Sequence, residues 1–315
     1  MSESENYKHH IPVMAQEVLD YLIVSSKNQK IIDGTLGFGG HSKLMISKNS
    51  KAELLGIDRD DTAIKYSTDL LSFAKERVTI AKGKFSDLAE ISESIGWNKV
   101  DSILLDIGVS SLQIDKGERG FSFRENGPLD MRMDSRQKKT ASQILNFSHV
   151  EDLAKIFREY GEIKQAWKLA NAIVERRTDK PWFYTQELAE LCQKVLTLTR
   201  KNGPPAPTLC FQALRIAVND ELGELEKAVR TSIEILNKGG RLCVISYHSL
   251  EDRIVKNIFK NEATECICPP GLPICKCDHK ASIKLITKKP LTPTSEEVKK
   301  NRRAASAKMR IAEKI

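Results

Sequence analysis

The sequence predicts an α/β protein, an open and mostly parallel Rossmann-like sheet interrupted by an all-helical domain. Three observations predict it. Apolar runs that end in an acid recur at Ile31-Ile32-Asp33, Leu54-Leu55-Gly56-Ile57-Asp58 and Ile103-Leu104-Leu105-Asp106, and each reads as a buried strand. Four glycines fall within seven positions directly after the first run, Gly34 to Gly40, with Leu44-Met45-Ile46 following. That is the strand–turn–helix crevice of an open α/β sheet. From about residue 141 to 200 the apolar spacing is helical and no strand-like run occurs.

Taken in order, Ala15–Leu22 reads as a short amphipathic helix and 30–35 as the first strand. The glycine turn lets backbone approach a ligand and feeds a helix at 41–48. Its spacing is not G-x-G-x-x-G, and Asp33 precedes the glycines. A carboxylate there repels a pyrophosphate but suits a cation, such as the ammonium and sulfonium of S-adenosylmethionine (AdoMet). A plain tight turn is the competing reading. Asp58 ends the second strand 18 residues after Gly40, where nucleotide-binding α/β folds accept ribose hydroxyls. A helix at about 60–75 and a strand at 77–81 lead to Phe85, placed either against an adenine ring or in the core. Asp106 ends the fourth strand. Three carboxylates then meet at one sheet edge, a costly arrangement for structure alone and a natural one for a ligand site.

Residues 112–140 form a long loop whose Phe121, Phe123, Met131 and Met133 argue against disorder. Helices follow, one predicted to start at a Ser148/Glu151 capping box, then Ile163–Ile173 and Leu188–Val195. Phe211, Leu214, Val218, Leu222, Leu225, Val229, Ile233 and Leu236 make one apolar stripe, a long helix or two in tandem, capped by Gly239-Gly240. Leu242–His248 is a returning strand, 283–287 another, and Ala305–Ile315 the last. The expected division is 1–111 and 208–315 for the sheet domain and 112–207 for the helical, substrate-recognising one.

At 315 residues with 40% hydrophobic and 29% charged content, the chain suits two soluble domains. No stretch is apolar enough to cross a bilayer and the first ten residues are polar, so a cytoplasmic protein without membrane contact is expected. Residues 280–315 hold eleven Lys and Arg against three Asp and Glu, an excess equal to the chain's whole net charge of +8. A basic end on a neutral body suits a nucleic-acid partner, although a solvated face gives the same pattern. Cys192, Cys210 and Cys243 sit in apolar patterns and read as core. Cys266, Cys268, Cys275 and Cys277, with His279 beyond as a spare ligand, read either as a structural Cys₄ zinc site or as four thiols in a surface loop.

The motifs His10–Val13, Asp33–Ser42, Gly56–Asp60, Leu104–Gln113, Arg119–Phe123, Gly127–Asp134, Phe211–Leu222 and Val244–Lys256 together resemble the bacterial small-subunit ribosomal RNA (cytosine-N4)-methyltransferases, the RsmH or MraW family, over essentially the full length. The resemblance implies a class I AdoMet methyltransferase domain with an inserted helical domain. It further implies methylation of a cytidine N4 amine in 16S ribosomal RNA, in the decoding region, with ribosomal RNA or the small subunit as partner. It leaves monomer or homodimer open. By motif, Gly39, Gly40, His41, Asp58, Phe85, Asp106 and Gln113 are its AdoMet contacts, to which the residue reading adds Asp33. Asp106, Ser110 and Ser111 are the candidates for holding the amine, and His248 for orienting the base or relaying its proton, with helix capping the alternative for His248. The chain departs from the family by lacking an arginine in Ala206–Phe211 and a proline in Asn301–Ser306. Its paired C-x-C loop occurs in only some relatives.

Rival chemistries fit less well. A nicotinamide dehydrogenase conflicts with the glycine spacing and Asp33, and an RNA-binding module leaves the edge carboxylates unexplained. Cytosine C5 methylation needs a nucleophilic cysteine, typically in a Pro-Cys pair, and no cysteine here follows a proline. The usual Pro-Pro-aromatic motif of DNA amino-methyltransferases is also absent after the fourth strand.

Overall fold

The computed structural model describes residues 11–24, 27–108, 117–197, 205–268 and 276–315. One unit comprises Met1–Gly108 and Leu222–Ile315, and a second comprises Val109–Glu221.

The first unit is built on a seven-stranded sheet. Its strands are β1 (Lys30–Asp33), β2 (Glu53–Asp58), β3 (Val78–Lys82), β4 (Val100–Asp106), β5 (Leu236–Ser246), β6 (Ile283–Leu285) and β7 (Lys308–Lys314). They lie in the order β3-β2-β1-β4-β5-β7-β6. All neighbours are parallel except β7, which runs antiparallel to both β5 and β6. The predicted mostly parallel fold is therefore confirmed.

Strand alternation explains the layers, since successive side chains point to opposite faces. Ile32, Leu55, Ile103, Leu105, Leu242 and Val244 face one core, completed by Leu225, Val229 and Ile233 of α10 (Glu221–Ile235) and Val255, Ile258 and Phe259 of α11 (Ser249–Glu262). Their neighbours Ile31, Leu54, Leu104, Cys243 and Ile245 face the other, covered by Val18 and Leu22 of α1 (Ala15–Leu22) and Met45 and Ile46 of α2 (Gly40–Lys48). β2 leads into α3 (Asp61–Leu71), and α4 (Leu88–Ser94) precedes β4. Arg310 of β7 donates to Asp252 in the first turn of α11 at 2.6 Å, tying the helix to the sheet, and both side chains are largely buried. α12 (Ser295–Lys300) lies just before β7.

The second unit is helical: α5 (Ala141–Phe147), α6 (Val150–Glu159), α7 (Ala166–Asp179), α8 (Thr185–Val195) and α9 (Ala206–Asn219). Leu145, Leu153, Phe157, Leu169, Ile173, Trp182, Leu188 and Leu214 form its core. The segment 117–134 packs into it through Phe121, Leu129, Met131 and Met133. The Asn219 side chain holds that segment, accepting from Met133 N–H and donating to Met131 C=O, both at 2.8 Å.

Three local expectations are corrected. The apolar stripe from Phe211 to Leu236 is split at Asp220, which takes the left-handed conformation (φ 51°) that ends α9. Cys210, Phe211, Ala213, Leu214 and Val218 consequently pack with the helical unit, so the segment 208–221, expected with the sheet domain, clusters with the helices instead. The α6 N-cap is His149 and makes no side-chain cap; the capping box lies at Thr140 and Gln143 of α5. Gly239-Gly240 does not cap a helix, because α10 stops at Ile235 and Leu236 already pairs with Val100. No helix among the described residues is long and apolar enough to cross a membrane.

Candidate functional site

The strand order reverses between β1 and β4, and open α/β sheets bind ligands at the carboxyl ends of the strands at such a switch point. Asp33, Asp58 and Asp106 are the last residues of β1, β2 and β4. The glycine loop 34–42 is bonded to all three. Thr35 N–H donates to Asp33 Oδ1 at 3.2 Å and the Ser42 hydroxyl to Asp33 Oδ2 at 2.6 Å. Gly37 N–H donates to Asp58 Oδ2 at 2.8 Å. Asp106 N–H donates to Thr35 Oγ1 at 2.7 Å.

The loop's shape needs its glycines. Gly37 and Gly39 have φ of 50° and 75°, a region that residues with a Cβ rarely enter, and Gly39 is the N-cap of α2. A Cβ on Gly40 would stand 2.8 Å from Pro12 Cγ, so Pro12 closes over the start of this helix.

Each carboxylate has its own electrostatics. Asp33 is 1% exposed, and burial pushes its pKa up to about 6, against the hydrogen bond from Ser42 and the nearby His41. Both of its oxygens accept hydrogen bonds within the loop. Asp58 also has its pKa raised by burial, opposed by N–H donation from Asp60 and Gly37. Asp106 is more open, with its side chain 23% exposed. Its Oδ1 accepts from the Tyr247 hydroxyl at 2.8 Å and its Oδ2 lies 3.5 Å from His41 Nε2. Burial and the Asp106 charge push the Tyr247 phenol far up, so it is an O–H donor throughout the ordinary pH range.

His41 sits in the first turn of α2, nearly buried, and neither ring nitrogen has a hydrogen-bond partner. Buried polar nitrogens without partners are costly, so a ligand bonded there would remove a penalty. Phe85 is largely packed against Ile57, Leu88 and Leu105, and the Arg59 guanidinium lies 5.8 Å from its ring centroid.

Tyr247 and Arg59, which touch the candidate residues Asp106 and Phe85, were not expected at the site from the sequence. Tyr247 directly follows β5, the neighbour of β4. Its position in Ser246-Tyr247-His248 was the available signal. Arg59 directly follows the acid of β2.

His248 is the N-cap of α11 in a reciprocal capping box with Glu251. The Glu251 carboxylate accepts from Tyr247 N–H at 2.7 Å, and Glu251 Oε1 lies 2.9 Å from His248 Nε2. His248 Nδ1 accepts from Glu251 N–H in the cap at 3.4 Å, while its Nε2 has no hydrogen-bond partner. Ser110, Ser111, Gln113 and Cys275 lie outside the described residues. Cys266, Cys268 and Cys277 do come together, their sulfurs all within 4.8 Å of one another. Near the basic end, Val298, Lys299, Arg302 and Ala305 line a depression of about 530 Å³.

This donor set suits a cationic nucleoside: carboxylates at adjacent strand ends, imidazole nitrogens without hydrogen-bond partners at a helix start, and Phe85 beside Gly34. The profile of the MraW methylase family matches residues 7–315. Over 307 residues the chain is 47% identical to the ribosomal RNA small subunit methyltransferase H of Caldicellulosiruptor bescii, covering 97% of this chain and 99% of that one. It is 43% identical over 309 residues to the protein of the same name from Clostridioides difficile, covering 98% and 99%.

Proposed function

Because the chain belongs to the MraW methylase family, we propose that it transfers a methyl group from AdoMet to the N4 amine of a cytidine in 16S ribosomal RNA, in the decoding region of the small subunit. The observation that carries this reading is the near-full-length similarity to small-subunit ribosomal RNA methyltransferases, combined with the Asp33/Asp58/Asp106 edge on the glycine loop.

When bound, AdoMet supplies a methyl group made electrophilic by the adjacent sulfonium. Asp58 accepts the ribose hydroxyls, its two oxygens already steered by the Gly37 and Asp60 N–H groups. The Gly39-Gly40 turn starts the helix that presents His41, whose free nitrogens meet the cofactor's polar groups. Phe85 lies against the adenine, with Arg59 beside its ring. Asp33 holds the loop through Thr35 and Ser42.

A cytosine amine is a poor nucleophile because its lone pair is delocalised into the ring. Acceptors that bind its hydrogens favour a pyramidal nitrogen and align it for in-line attack. Asp106 fills this role, held in one orientation by the Tyr247 hydroxyl; Ser110 and Ser111 as further acceptors and Gln113 as a cofactor contact are carried over from the family motif alone. The base reaches such a site only when splayed from its stack. The amine acidifies on methylation and sheds its proton to water, so no strong general base is required.

The test is a map of methylated cytidines in ribosomal RNA from cells with and without the chain. A single N4-methyl lost from the small-subunit RNA is expected. An unchanged map refutes the proposal.

A further inference from the structure

We propose that Cys266, Cys268 and Cys277 form a structural site for a thiophilic divalent cation, zinc foremost. The site pins the connection between α11 and β6. It goes beyond the methyl-transfer reading and does not depend on it.

Residues 263–282 contain no helix or strand among the described residues, and Ile267 is 54% exposed. The base of the connection is fastened. Ser282 N–H and Oγ–H donate to the Glu262 carbonyl and carboxylate at 2.8 and 2.7 Å, and His279 Nε2 lies 3.0 Å from Asn261 O. His279, expected as a spare ligand, is thereby engaged elsewhere. Connections this long without their own structure need a function or a staple.

The sulfurs have the geometry of a staple. Cys266 Sγ and Cys277 Sγ are 3.7 Å apart. Tetrahedral zinc with Zn–S near 2.3 Å puts two sulfur ligands about 3.8 Å apart. A disulfide would need roughly 2.05 Å. Backbone N–H groups aim at all three sulfurs at 3.4 Å: Ile267 on Cys277, Cys268 on Cys266, and Lys276 on Cys268. As zinc ligands the three would be thiolates, whose mutual repulsion the cation offsets. Sulfur ligands also select zinc-like ions over magnesium or calcium.

The test uses the full chain, expressed with zinc and purified under reducing, chelator-free conditions. Elemental analysis is expected to find about one zinc per chain, lost in a Cys266→Ser/Cys277→Ser variant whose circular dichroism and AdoMet binding match the wild type. Cobalt exchanged into the site should give tetrahedral visible bands and a charge-transfer intensity of at least three thiolates. Removing the metal should speed amide exchange at 263–268 and 276–282 alone. Folded, reduced protein that takes up less than about a tenth of an equivalent from zinc-buffered solution overturns the site. So does a double variant that keeps its zinc, or a Cys266–Cys277 disulfide found in reduced preparations.

Discussion

Asp33→Asn should stabilise the protein at neutral pH, and the reason can be worked from the loop. Asp33 is buried with a pKa pushed from 3.8 to about 6 by desolvation. Between those values the folded state holds a proton that the unfolded state has released. Stability therefore falls as pH rises through this window, then levels above it. One pKa unit is worth about 1.4 kcal/mol, so ionising Asp33 removes ~3 kcal/mol by pH 7. Asparagine fits the site: its oxygen keeps Thr35 N–H, and its amide N–H donates to the Ser42 hydroxyl, which is able to accept. The Ser42 proton loses its acceptor, at a cost of ~1 kcal/mol. The variant should be about 2 kcal/mol more stable than wild type at pH 7 and about 1 kcal/mol less stable below pH 4, the difference changing sign between. Other carboxylates, such as Asp252 beside Arg310, titrate in both proteins and cancel. Urea unfolding read by hydrogen exchange of the β1–β4 peptides isolates the sheet unit. A difference that stays constant from pH 4 to 7 would refute the desolvation argument.

Three further outcomes test the site. Asp58→Ala should weaken AdoMet by roughly 2–3 kcal/mol, or about 30- to 150-fold in Kd by calorimetry, through loss of charge-assisted hydrogen bonds; unchanged affinity in the folded variant would remove Asp58 from the ribose. Tyr247→Phe deletes the hydroxyl on Asp106 and should lower single-turnover methyl transfer about tenfold while leaving AdoMet affinity within about twofold; full activity would show that Asp106 needs no orienting partner. Reversing the exposed charges at Lys299, Lys300, Arg302 and Arg303 should flatten the log–log salt dependence of RNA binding by about 0.7–0.9 for each phosphate no longer neutralised; a slope equal to wild type would place the RNA elsewhere.

The sequence alone determined what depends on local pattern. Apolar runs of strand length, each closed by an acid, marked Asp33, Asp58 and Asp106 as strand ends, and the glycine spacing marked the turn between β1 and α2. Side-chain alternation and backbone conformational limits are short-range, so they are legible within a few residues. The tertiary structure decided matters that depend on partners far along the chain. Asp33 and Asp58 look alike in sequence, yet Ser42 and Thr35 turn Asp33 into a buried brace. The apolar stripe from Phe211 to Leu236 looks continuous, yet one left-handed residue, Asp220, sends its halves into different cores. His248 became a cap because Glu251 lies one helical turn ahead, and Tyr247 entered the site because β5 pairs with β4. Long-range pairing brings such residues together, and a carboxylate's role follows from which donors surround it.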